Sequence, residues 1–64
     1  MQEVMCTHNY IDHLTYGKEV VLWRKGRYYE AVGNEGKNYL IRTELGDIGK
    51  IHRMFFADYF TQIQ

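Results

Sequence analysis

Sixty-four residues make one domain at most, and a chain of that size buries only about 60% of the surface its unfolded form exposes. Eight Lys plus Arg balance eight Asp plus Glu, so neither the basic surplus of a duplex-DNA binder nor the acidic surplus of a nucleic-acid mimic is present. Cys6 is the single cysteine, which excludes an intramolecular disulfide and favours a reducing compartment; no run approaches the roughly 18 apolar residues of a membrane helix, and the first residues lack a signal-peptide pattern, so a cytoplasmic protein is expected.

Glu3-Val4-Met5-Cys6-Thr7 reads as a first short strand, and His8 to Tyr16 as a polar loop punctuated by Gly17. Glu19-Val20-Val21-Leu22-Trp23 is a strand by residue type, followed by a turn at Arg24-Lys25-Gly26-Arg27 where glycine supplies positive φ. Tyr28 to Val32 alternates, with Tyr28, Glu30 and Val32 on one face and Tyr29 and Ala31 on the other. Gly33-Asn34-Glu35-Gly36 is the strongest turn signal, and Tyr39-Leu40-Ile41-Arg42-Thr43 answers as a strand. Glu44-Leu45-Gly46-Asp47 turns again into Ile48 to Arg53, with Ile51 inward and Lys50 and His52 on the opposite face. Four such strands predict an antiparallel meander running from Glu19 onward. Met54 to Phe60 breaks the alternation. One helical turn there puts Phe55 and Tyr59 on one side and Phe56 and Phe60 on a neighbouring side, before a last short strand at Thr61-Gln62-Ile63. Closing the sheet would remove its exposed edges. The expected fold is therefore all-β, a small antiparallel barrel of five or six strands with one short helical turn near the C-terminus, spanning residues 1–64 as a single domain.

The segment Lys25-Gly26-Arg27-Tyr28-Tyr29-Glu30-Ala31-Val32-Gly33, continuing through Tyr39-Leu40-Ile41 to Leu45-Gly46-Asp47, resembles the small Src-homology-3-like proteins of bacteriophages, prophages and bacteria. The tail is similar to the end of Src-homology-3 domains proper, Gly49-Lys50-Ile51 leading through a helical turn to Ala57-Asp58-Tyr59-Phe60. The opening signature occurs twice, the upstream copy being Leu14-Thr15-Tyr16-Gly17-Lys18-Glu19-Val20. With the downstream copy opening the second strand, residues 1–18 form an N-terminal extension, or a first strand plus loop. With the upstream copy, Cys6 to Tyr10 is the first strand and Arg24 to Arg27 belongs to an inserted hairpin. The resemblance implies a Src-homology-3-like barrel that binds rather than catalyses, as a small phage or prophage accessory protein acting on a host protein. The polyproline clamp of eukaryotic members lacks two anchors here. Its tryptophan position falls near Asn38 and its proline position near Arg53 or Met54.

Among the residues themselves, Trp23, Tyr29, Phe56 and Tyr59 are the candidate contacts for a protein partner, with Arg24 and Arg27 steering at the rim. A homodimer is a further expectation, since zero net charge weakens repulsion between copies. The alternative is single-stranded nucleic acid bound through Trp23, Arg24, Lys25, Arg27 and Tyr29, because bases stack on rings while cations meet phosphates. Glu19 and Glu30 are placed to neutralise those cations. Cys6, His8, His13 and His52 are zinc-ligand types, but their spacing matches no standard zinc pattern. A buried thiol beside exposed histidines is the simpler reading. No metal, cofactor or catalytic group is expected.

Overall fold

The computed structural model describes residues 2–13 and 17–63. Among these residues seven strands and one short helix run in the order β1 (Gln2–Cys6), β2 (Tyr10–His13), β3 (Glu19–Trp23), β4 (Tyr28–Glu35), β5 (Asn38–Arg42), β6 (Ile48–His52), α1 (Arg53–Tyr59) and β7 (Phe60–Ile63). Five strands form one antiparallel sheet in the order β6-β5-β4-β1-β7, and β2 and β3 form a separate two-stranded ribbon. The all-β antiparallel class and the short helix near the C-terminus stand as expected.

Four local readings change. The meander covers only β4, β5 and β6, because β3 pairs with β2 and not with β4. The turn at Arg24 to Arg27 is a junction instead of a hairpin tip: the Cys6 N–H donates to the Arg27 carbonyl and the Gly26 N–H to the Cys6 carbonyl. Part of the loop read at His8 to Tyr16 is the strand β2. Its residues are exposed on both faces apart from Tyr10, so no apolar alternation marks it; Leu14 to Tyr16, with the start of the upstream signature, lie outside the described residues. Finally, β4 runs on to Glu35, and the turn is only Gly36-Lys37. Gly36 at φ +59° supplies the first central position of a two-residue hairpin turn, while Gly33 sits at a register shift in the strand.

The downstream signature opens β4, the second strand of the main sheet, and β1 precedes it in that sheet. Gln2–Cys6 pairs with β4 on one side and β7 on the other. Cross-strand partners share a face, so the register assigns the inner surface. Val4 lies between Tyr29 and Gln62, Cys6 opposite Phe60, Ile41 opposite Ala31 and Gly49, and Ile51 opposite Tyr39. Val4, Cys6, Trp23, Ile41, Ile51 and Phe60 form the buried core.

The sheet must curl tightly. Flat, five strands would separate β6 from β7 by about 19 Å, whereas the seven residues of α1 span about 10 Å and connect those two edges directly. Curling is not closure: no ladder joins β6 to β7, so the ring expected from the sequence keeps an open seam beside α1. Among the described residues no helix is long and apolar enough to cross a membrane.

Candidate functional site: the helix face and the basic turn

Trp23 leaves the candidate surface at once. It is 0% exposed, with ring contacts to Tyr10 at 5.0 Å and Phe60 at 5.2 Å, both edge-on, and its indole N–H donates to the Arg42 carbonyl at 3.0 Å. The sequence marks Trp23 as a large aromatic beside cations. Its register position opposite Tyr10 at the base of the ribbon is what turns it inward.

Arg24, Arg27 and Tyr29 do come together, around a residue the sequence reading did not single out. The Tyr29 hydroxyl accepts from the Arg24 backbone N–H at 2.7 Å and donates to Glu44 Oε2 at 3.1 Å. The Arg27 guanidinium donates to Glu44 Oε1 at 3.0 Å. Glu44 therefore pairs with one of the turn's three cations, Arg27, while Glu30 pairs with Arg42 and Glu19 with the His13 ring. Burial, reinforced by the Glu44 carboxylate and partly offset by the Arg24 N–H, raises the Tyr29 phenol above its ordinary range. With Trp23 enclosed, Tyr29 half-buried and Arg27 paired, the surface for base stacking shrinks to Tyr28 beside Arg24 and Lys25.

The helix carries the other candidates. His52, in extended backbone at φ −64° and ψ 137°, caps α1 as its Nδ1 accepts from the Met54 N–H at 3.1 Å. At the far end the Phe60 N–H returns to the Phe56 carbonyl. Two further bonds fasten the helix to the turn between β4 and β5 and to the residue after β1: Arg53 N–H to the Lys37 carbonyl at 2.8 Å, and Thr7 N–H to the Tyr59 carbonyl at 2.6 Å. Phe56 turns inward, edge-on to Tyr39 at 4.9 Å and stacked on Phe60 at 5.4 Å. Tyr59 packs edge-on against Tyr10 at 4.8 Å. What remains outside is Met54, 72% exposed, and Phe55, 52% exposed, with the Phe55 ring edge-on to His52 at 6.2 Å.

Of the sequence-predicted residues, Trp23 and Phe56 face inward, Arg24, Arg27 and Tyr29 meet at the basic turn, and Tyr59 is half-buried beside Tyr10; the exposed large apolar side chains of α1 are Met54 and Phe55. The phase was readable. Phe56 and Phe60 are four apart, and Phe60 opens a strand facing the core, so Phe56 had to follow it inward. Tyr10 carried no such signal, because β2 shows no strand pattern. Cys6 lies in the core with its thiol donating to the His8 carbonyl at 2.8 Å, while His8 and His13 are exposed. No family model, curated protein or solved structure matches this chain.

Proposed function

We propose that the domain is a non-enzymatic protein-interaction module that docks one partner protein on the outer face of α1. The observation that carries this reading is the exposure of Met54 and Phe55 side by side on a helix held at both ends, with Tyr59 and Tyr10 half-buried beside them. A small domain has few large apolar side chains to spare, and a pre-ordered aromatic patch is the composition of an interface centre. In the phage or prophage setting the resemblance implies, the partner is a host protein and the mechanism is occlusion: the rigid patch buries an apolar anchor of the host protein and blocks that site.

Affinity capture from bacterial lysate, with and without nuclease and at low and high salt, tests the reading. A protein retained at high salt after nuclease, and lost with Phe55→Glu, is the expected result. Truncating an interface centre costs about 2 kcal/mol or more, roughly 30-fold in affinity. Capture that disappears with nuclease or salt transfers the role to nucleic acid, through Tyr28, Arg24 and Lys25.

A further inference from the structure

The main sheet has two terminal strands, and they are treated differently. The ribbon flanks β6: Tyr10, Asp12 and Leu22 line a cleft of about 260 Å³ together with Ile48 and Lys50. Lys50 adds a charge to that strand, a common protection of sheet edges. In the ribbon, β2 carries Asp12, His13 and a register shift, and the Leu22 carbonyl of β3 accepts from the Glu44 N–H. On β7 none of these devices is present. Phe60-Thr61-Gln62-Ile63 holds no charge, no proline and no shift, and no described strand pairs with its outer side.

The outward groups follow from the ladder. The Cys6 N–H and C=O bond toward β4, so by alternation Glu3 and Met5 bond toward β7 and meet Ile63 and Thr61. Gln62 therefore points both its N–H and its C=O away from β1. Its side chain lies in the Val4 row on the inner face, where it borders a cleft of about 340 Å³ with Val4, Ala31, Tyr39 and Phe56 below and Gln2 and Asn34 at the rim. No charged residue lines that cleft. Its volume is at the lower end of the range of about 300–1,000 Å³ seen for ligand pockets, enough for one or two side chains.

We propose that β7 is a docking edge for an extended, uncharged peptide segment of a partner protein, which adds as a sixth strand and seats one apolar side chain in the cleft beside Gln62. Main-chain bonds to Gln62 supply affinity and the cleft supplies selection, as in other strand-addition complexes. The neutral, amide-rimmed cleft favours an aromatic or long aliphatic residue over a charged one. A second copy fits less well, because antiparallel pairing about Gln62 sets glutamine beside glutamine and leaves the cleft unfilled. The proposal rests on the reading of the domain as protein-binding but uses a surface separate from Met54 and Phe55.

The test is selection from a displayed library of random ten-residue peptides on the purified domain, followed by binding of the selected peptides to variants. The expected peptides alternate apolar with polar residues and carry one aromatic or long aliphatic anchor. Their affinity falls at least tenfold with Gln62→Pro, which removes an outward N–H without touching the β1 ladder, and with Gln62→Lys, which places a charge at the cleft. It is unchanged by Phe55→Glu, and hydrogen exchange at the Gln62 amide slows on binding. Failure to select any peptide overturns the proposal, as do peptides sensitive to Phe55→Glu but not to Gln62→Lys. A concentration-dependent dimer that itself protects the Gln62 amide would assign the edge to a second copy and overturn it too. Failure of the helix-face reading alone would leave the Gln62 results intact.

Discussion

Gly49 shows how closely single residues set this core. A Cβ built there would lie 2.8 Å from Thr43 Cγ2 and 2.8 Å from the Trp23 ring, and neither neighbour is free to withdraw. Thr43 is held by Asp47, to which its hydroxyl donates, and by the Asp47 carbonyl, which accepts from its N–H; Trp23 is held by the Arg42 carbonyl. Gly49→Ala is therefore expected to destabilise by about 1–3 kcal/mol through overpacking, read as a lower urea midpoint at unchanged slope. The same enclosure controls Cys6. Burial raises its thiol above the ordinary range, so the folded state holds a proton that the unfolded chain releases more readily. That contribution is complete below the unfolded value near pH 9 and is lost as pH rises toward the folded one, and the raised Tyr29 phenol extends the loss above pH 10. Melting temperature should hold steady up to about pH 9 and then fall, with Cys6→Ala removing the first part of the decline. A decline that starts below pH 8 would contradict this assignment.

At the level of elements, the alternation of β6 was legible in the sequence because that strand buries Gly49 and Ile51 and exposes Ile48 and Lys50, whereas β4 and β5, half-buried along much of their length, were legible by residue type and flanking turns. The helix phase was legible in part, from the spacing of Phe56 and Phe60. β2 was not, because a strand with both faces in solvent has no period to read. Nor was the pairing of β3, since a strand's residue types do not name its neighbour. One helix end and one cross-strand pair remain locally imperfect and can be improved. His52 is a weak cap, Arg53 opposes the helix dipole, and no acidic residue occupies the first turn. His52→Asp is expected to add roughly 0.5–1 kcal/mol, a rise of several degrees in melting temperature for a domain this small. In the sheet, Glu3 stands directly opposite Glu30. Arg42 at 3.4 Å relieves Glu30 alone. Glu3→Lys replaces a like-charge pair with an opposite one and should stabilise by roughly half a kcal/mol at low salt, the gain shrinking as salt rises.

The whole molecule is compact but elongated, with a radius of gyration of 11.2 Å and a longest dimension of 37 Å; a 64-residue globule is expected near 10.7 Å. Its two sheets meet chiefly through Trp23, which belongs to the ribbon yet packs on Phe60 and Gly49 of the main sheet and bonds to Arg42. That joint is where the separate ribbon meets the main sheet, in which β4 pairs with β1 and not with β3. Sequence reasoning saw the tryptophan but could not see this, because the contacts bridge positions about 20 to 40 residues apart. A domain of this length is stable by only roughly 3–10 kcal/mol, and removing a buried tryptophan ring costs about 3–5, so Trp23→Ala should leave much of the chain unfolded. Trp23→Phe is the informative change. It keeps most of the apolar volume and deletes the bond to Arg42, loosening the joint more than the sheet. Hydrogen exchange should then show protection falling further at Ile11 to His13 and Val20 to Leu22 than at Val4, Ile41 and Ile51. In the unmodified chain β2 should already be the less protected strand, since it is exposed and bonded on one side only. An equal fall at every amide would make Trp23 an ordinary core residue and the two sheets one cooperative unit; an unequal fall would make the ribbon a separately opening element hinged at Trp23.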